Sequence, residues 1–488
     1  MEYIIKGREP ESFFRYFEEI SAVPRESYHE EKIADYLVNF AKERGLEYYR
    51  DEARNVLIKK PATKGQEHRP AILFQAHTDM VCEKEFGVEH DFSKDPLDLY
   101  IDGNLLRARG TTLGADDGVG VATMLALLDG MVAEHPAYEC LFTATEEPGL
   151  VGALAFDYSR INARTLVNLD GGLTTKITAC CAGGMTTELV LPMQTETFAG
   201  EALHVRIEGL AGGHAGGDDI RRGRANANKV MGRMLAALLP TCDARVVSIS
   251  GGAKVGAIAR EGDLYLAVPD AKAATAVLET VAKAVESDLL PEDRRFTFSA
   301  KSVEPFEKMT THDMTARICG AIVGTANGVF AMNQEMTYLV EYSRNHGVIY
   351  TNDSTVTFMF YCHASKESQL DANANELGAV ANMLGATVRH YNRYPGWAYA
   401  KNSPIRDAFL RASREVAGKE GPVTGVHAGI ESGVICSAIP GMDAITVGPH
   451  KIYIHTPREA LDLDSCETFC RIIEHLVENF GSASDQKV

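Results

Sequence analysis

The sequence predicts an α/β domain, a mixed sheet flanked by helices, interrupted by a long inserted α+β block of two similar halves. Three observations predict it. Buried-type apolar runs alternate with helical periodicity through the first 170 residues or so. From residue 201 the pattern becomes the apolar–polar alternation of half-exposed antiparallel strands. Beyond Tyr394-Pro395-Gly396-Trp397 the first pattern returns. A chain of 488 residues exceeds one ordinary core. The expected boundaries are 1–186 and 397–488 for the two parts of the outer domain and 187–396 for the insertion.

Residues 29–45 predict an amphipathic helix, because Ile33, Leu37 and Phe40 share a face and Gly45 stops it. Strands are expected at 55–59 and 71–76. The segment VGVATMLALLDG, after Asp116-Asp117, predicts a buried helix, and strands near 140–145 and 165–169 complete a βαβ-rich unit. In the insertion, Leu203, Val205 and Ile207 alternate with His204, Arg206 and Glu208. Helix 222–239, strands 246–250 and 263–268, helix 271–289 and strand 296–303 make its first half. Helix 312–323, strands 347–350 and 355–361, helix 366–385 and strand 386–391 make its second. A helix near 403–416, a strand at 444–447 and a helix at 465–479 close the chain.

Composition excludes several functions. Hydrophobic residues at 45% and charged residues at 24% describe a globular protein, with disorder expected only over 482–488. The formal charge of −18 repels phosphate backbones, so nucleic-acid binding is not expected. The segment MEYIIKGREPESFFRYFEEI lacks the apolar centre of a signal peptide, and no stretch approaches the ~20 apolar residues that span a bilayer. Ten scattered cysteines without a C-x-x-C pair point to free thiols and a cytoplasmic location.

Four apolar runs end on residues able to bind a metal. AILFQA leads into His77 and Asp79, LFTAT into Glu146 and Glu147, TLVNL into Asp170, and the strand at 444–447 leads through a loop to His455. Open α/β sheets place ligands outside the carboxyl ends of their strands. Asp116-Asp117 lies in a glycine-bounded turn, where two carboxylates repel each other unless a cation is shared. The mixture of imidazole and carboxylate suits zinc or a similar divalent ion. Asp79 either accepts the second N–H of His77 or steadies the ligand set from outside it. Glu146 and Glu147 can divide the roles of base and ligand. Alone, His77-Thr78-Asp79 reads first as a buried polar pair at a strand end and Asp116-Asp117 equally well as a helix-capping turn, whereas the apolar approach and Pro148-Gly149 argue against an exposed acidic pair at Glu146-Glu147. No H-E-x-x-H, G-x-S-x-G or G-x-x-x-x-G-K-[ST] motif competes.

The ordered motifs QAHTDMV, TTLGADDGVG, TATEEPGLVGA, NLD, GLAGGHAGG, HAGIESG and GPHKIYIHTPRE resemble the co-catalytic zinc peptidase family of aminoacylases, carboxypeptidases and dipeptidases, in particular its aminoacyl-histidine (Xaa-His) dipeptidase branch. The resemblance covers nearly the whole chain and implies a phosphorylase/hydrolase-like zinc peptidase fold carrying a lid. It further implies two divalent ions, zinc with cobalt or manganese able to substitute, bridged by Asp116. His77 and Asp170 would complete one set, and Glu147 and His455 the other. Glu146 would be the base, Asp79 would orient His77, and Asp116–Asp117 is a candidate cis peptide. His214 would steady the oxyanion, and Asn226 and Glu431 match substrate-binding positions. The sequence departs from the family near His363, where relatives often carry an arginine for the substrate carboxylate. The expected activity is hydrolysis of small peptides, Xaa-His dipeptides foremost, in a cytosolic monomer or homodimer. The alternatives are an N-acyl-amino-acid hydrolase and a non-catalytic metal-binding scaffold.

Overall fold

The computed structural model describes residues 3–482; apart from Ser482, the C-terminal stretch expected to be disordered lies outside them. The chain divides into two compact units. The first comprises Met1–Cys181, Trp397–Gly425 and Ile430–Val488; the second comprises Ala182–Gly396 and Val426–Gly429.

The first unit is built on an eight-stranded mixed sheet. Strand Ile72–His77 is buried along its whole length and pairs in parallel with Tyr138–Thr143 and Thr165–Asn168. Asp443–Thr446 extends the parallel set beyond Thr165–Asn168. Such doubly covered strands need apolar residues on both faces, which is why these segments read as unbroken apolar runs. Helix Ala115–Leu128 is buried on all sides and packs on the central strand. Helix Glu11–Ser21, which the sequence reading did not anticipate, lays Phe13, Phe14, Phe17 and Ile20 against the same core. A second sheet of four short strands joins Lys451–Ile452 and Ala460–Asp462 to the hairpin formed by Leu99–Asp102 and Leu105–Ala108.

The second unit carries a nine-stranded antiparallel sheet made of two halves. Thr297–Val303, Glu201–Glu208, Gly262–Val268 and Arg245–Gly251 form one half, in that order. Val340–Thr351, Thr355–Ala364, Gly183–Pro192 and Thr387–Tyr394 form the other, with Gly328–Met332 also paired to Val340–Thr351, and a single pair, Gly251 with Ile349, joins the halves. Val340–Thr351 is far longer than the expected 347–350, since its first half, VEYSRN, carries polar residues that are buried here rather than exposed. The helix expected from residue 222 starts at Ala227: Gly223 takes φ +72, and the Asn226 side chain caps the helix by accepting from Asn228 N and Lys229 N.

Candidate active site and metal centre

The parallel strands of the first unit aim the candidate metal ligands at one edge of the sheet. His77 is the last residue of its strand, opposite Thr143, and Gln75 lies opposite Asn168. Glu146, Glu147 and Asp170 therefore leave the sheet beside His77. Asp116 and Asp117 come from the other direction, at the start of helix Ala115–Leu128, where both residues have non-helical backbone angles and the peptide joining them is cis.

Asp116 is the hub. Its Oδ1 lies 3.6 Å from His77 Nε2, and its Oδ2 lies 3.2 Å from His455 Nε2. His455 Nε2 is in turn 3.0 Å from Glu147 Oε1. Three groups of side chains offer ligand atoms within 4.8 Å of one another: His77 with Asp116 and Asp170, Asp116 with Glu147 and His455, and His77 with Glu146 and Glu147. The first two share Asp116 through opposite oxygens, the arrangement a bridging carboxylate needs.

The surroundings fix these side chains. Asp79 Oδ1 accepts from Glu146 N at 2.9 Å and Oδ2 from Glu147 N at 3.3 Å, while Ser27 Oγ donates to Oδ2 at 2.7 Å. His77 Nδ1 lies 3.1 Å from the Asp79 carbonyl and 3.5 Å from its carboxylate. Asp79 thus ties the imidazole to the Glu146 turn. Glu459, buried, accepts from the amides of Leu113 and Gly114 with Oε2, at 2.8 and 2.9 Å, and of Ala115 and Asp116 with Oε1, at 2.9 and 3.3 Å. The buried Arg25 guanidinium donates to the Thr78, Asp79 and Gly114 carbonyls. Gly114 has φ +66, and a Cβ there would lie 2.3 Å from that guanidinium, so only glycine fits. Thr145 (φ 53) and His455 (φ 62) are held in the left-handed region beside the site.

Electrostatics shows what the cluster lacks. Burial works against the Asp116 charge, but the Lys451 ammonium and bonds from His455 and His77 hold it well below the usual carboxylate range. Burial pushes Asp117 well up, and burial with Asp116 nearby raises Asp170 to about 6. Burial, with Glu431, Asp170 and Glu147 adding to it, raises Glu146 well above its ordinary value, against the pull of His77. Bonds to Asp116 and Glu147 raise His455 to about 10. Asp117 Oδ2 is buried without a hydrogen-bond partner, and Glu147 Oε1 faces the His455 ring. Carboxylates this crowded call for positive charge. Lys451 supplies part of it, with Nζ 2.7 Å from Asp116 Oδ1 and 2.8 Å from Asp170 Oδ1.

The donor set fits a divalent cation. The Asp116–Glu147–His455 group offers an imidazole nitrogen and carboxylate oxygens, with Asp117 Oδ2 orphaned beside them, as an N/O metal site requires. The His77–Asp116–Asp170 group offers a like set, but Lys451 already hydrogen-bonds two of its members.

The substrate-binding expectations fare differently. Asn226 spends its polar atoms on the framework: besides capping its helix, it donates to Asn345 Oδ1 at 3.2 Å and the His346 carbonyl at 3.0 Å. All of these partners belong to the second unit. Glu431 is buried in the first unit, where Thr143 Oγ1 donates to it at 2.8 Å and Gln75 Nε2 also donates. Burial raises its pKa to about 7. His214 lies in the second unit, its ring 6.1 Å from that of His363, which is 5.2 Å from His427. Burial, with His427 and His214 beside it, holds the pKa of His363 well below the usual imidazole range. The register neighbour of Cys362, Arg344, does not fill the role of the missing arginine, since Asn373 and both oxygens of Glu376 hold its guanidinium. Lys451, Glu459 and Arg25 were not singled out from sequence; the first two stand inside the motif GPHKIYIHTPRE, where charged residues flank the expected ligand His455.

A buried dicarboxylate turn and histidines at parallel strand ends, on a sheet interrupted by an inserted α+β unit, define a metallopeptidase class of site. Residues 73–479 match the peptidase family M20/M25/M40, and the chain belongs to that family. It is 33% identical over 473 residues to the cytosol non-specific dipeptidase of Escherichia coli (strain K12), covering 96% of this chain and 97% of that protein. Its fold matches the crystal structure of an aminoacylhistidine dipeptidase from Vibrio alginolyticus with a TM-score of 0.90 and 32% identity, covering 97% of each chain. An aminopeptidase of Bacillus cereus shares the fold alone, with a TM-score of 0.56 and 16% identity over 97% of this chain and all of that one. Among the described residues, no helix is long and apolar enough to cross a membrane, and the cysteines form no disulfide.

Proposed function

We propose that this enzyme is a metal-dependent dipeptidase acting on Xaa-His and a wider range of dipeptides, in the cytoplasm. The observation that carries the reading is Asp116, whose two oxygens face two separate sets of donors. His77 and Asp170 would hold one ion with Asp116, and Glu147 and His455 the other; zinc suits both sets, and cobalt or manganese can replace it. Such an ion supplies Lewis acidity and an acidified water at neutral pH. Glu146 takes the proton of the attacking water and returns it to the leaving amine. Asp79 holds the Glu146 and Glu147 amides and the His77 ring in register, so base and ligands keep a fixed spacing. His214 is the proposed oxyanion donor.

Glu146→Gln should abolish dipeptide turnover while metal content stays at the wild-type level; normal turnover would remove Glu146 from the role of base. His214→Ala should lower kcat with metal content unchanged. An N-acyl-amino-acid hydrolase on the same site is the second reading, favoured only by the family-deviant His363. Side-by-side rates on Xaa-His dipeptides, longer peptides and acetylated amino acids separate the two. A non-catalytic scaffold would be expected to have lost the base or a ligand, and both are present. Solution mass distinguishes monomer from homodimer.

A further inference from the structure

The two candidate ion sites are not equivalent. In the Asp116–Glu147–His455 group, Glu147 Oε1 meets an imidazole, with His455 Nε2 at 3.0 Å, rather than an ammonium. In the His77–Asp116–Asp170 group a cation is already present. Lys451 Nζ reaches Asp116 Oδ1 at 2.7 Å, Asp170 Oδ1 at 2.8 Å and Asp117 Oδ1 at 3.8 Å, and its side chain is 4% exposed. Its backbone is pinned by the pairing of Lys451 with Leu461, and Asp462 continues that strand against Leu105. The lysine therefore enters the site from a fixed strand and not from a loose loop.

An ion bound to Asp116 Oδ1 and Asp170 Oδ1 would draw on the oxygens that the ammonium uses. It would also lie within a few ångströms of a positive charge in a poorly hydrated pocket, where repulsion is weakly screened. Only one of the two cations can be held well. We propose that Lys451 is a resident cation in the His77–Asp116–Asp170 site. The protein then retains one divalent ion, at Asp116–Glu147–His455, and takes a second only by displacing the ammonium. This rests on the reading of the carboxylate cluster as a metal centre. One positive charge from a side chain replaces two from a metal there, so Asp170 serves chiefly to hold the lysine until the second ion arrives.

The test is a count of bound metal. Full-length protein is stripped with a chelator, reloaded with zinc, passed through a desalting column and analysed for zinc; affinities are read by competition with a chromophoric chelator. Wild type should retain one equivalent and bind a second at least tenfold more weakly. Lys451→Met should retain two, and Lys451→Arg should behave as wild type. Two equally tight equivalents in wild type, or one equivalent in both wild type and Lys451→Met, would overturn the proposal. No retained metal in any of the three would instead overturn the metal-centre reading itself. Because Lys451→Met leaves buried carboxylates unpaired and could fail to fold, wild type alone supplies a second measurement. With one equivalent of manganese, its paramagnetic resonance spectrum should be that of isolated ions. A spin-coupled pair at that loading would overturn the proposal equally.

Discussion

Glu459→Gln isolates the part of the site that holds Asp116 without replacing any proposed ligand. The carboxylate accepts four backbone amides from Leu113 to Asp116, two on each oxygen. A glutamine keeps one oxygen and turns an NH2 group toward the other two amides. Two bonds to a charged acceptor, each worth about 1.5 kcal/mol or more, are lost, so the substitution should cost about 3 kcal/mol. The loss falls on the segment whose last residue is Asp116, and it should divide between folding and ion binding. If half of it appears in binding, zinc affinity falls about tenfold, because 1.4 kcal/mol corresponds to a factor of ten. The assays are urea unfolding of the metal-free protein and zinc titration of the folded one. A variant within about 0.5 kcal/mol of wild type in both would show that the Glu459 carboxylate does not hold the Asp116 turn, and the account of how Asp116 is positioned would fall with it.

Two further substitutions probe the framework. His346 is buried against Phe360, with both ring nitrogens lacking a hydrogen bond, and burial with Lys229 and Arg344 nearby lowers its pKa to about 3. The unfolded chain takes up a proton near pH 6.5 that the folded chain refuses, so stability is lost as pH falls from about 6.5 toward 3. At pH 5 that loss is about 2 kcal/mol, from roughly 1.5 pH units at 1.36 kcal/mol each. His346→Phe should remove it, and equal losses in both proteins between pH 7.5 and 5, measured by denaturant unfolding, would contradict the assignment. At Gly120 a Cβ would meet Asp117 Oδ2 at 2.5 Å, Ala76 Cβ at 2.6 Å and Leu169 Cβ at 2.9 Å. Alanine normally favours a helix interior, yet Gly120→Ala should destabilise by about 1–3 kcal/mol through overpacking. A thermal midpoint at or above that of wild type would refute the close approach.

The fold was legible wherever the environment repeats along the chain. The central strands Ile72–His77, Tyr138–Thr143 and Thr165–Asn168 read as apolar runs because both faces are covered, and Glu201–Glu208 reads as alternating because one face is not. Helix Glu11–Ser21 has Phe13, Phe14, Phe17 and Ile20 at helical spacing, a signal lost when the segment is weighed only for the apolar centre of a signal peptide. The start of Val340–Thr351 escaped notice because Arg344, Asn345 and His346 are buried, a condition that depends on distant partners such as Glu376 and Asn226 rather than on local pattern.

The site divides in the same way. His77, Asp116, Glu146, Glu147, Asp170 and His455 could be singled out because each follows an apolar run or stands in a glycine-bounded turn, and the structure brings them to one edge of one sheet. Which carboxylate oxygen faces which partner could not be read, since that depends on backbone angles at Asp116 and Asp117 that no spacing encodes. Lys451 and Glu459 sit four residues to either side of His455, close enough in sequence to be dismissed as the charged flanks of a ligand. Folding sends them to opposite tasks: one brings a positive charge to the carboxylates, the other uses a negative charge to hold the backbone that carries Asp116. A cluster of buried acids can persist only when each charge is met by a donor, a lysine or a metal. The side chains that meet them therefore decide how many ions the site can hold, as much as the ligands do.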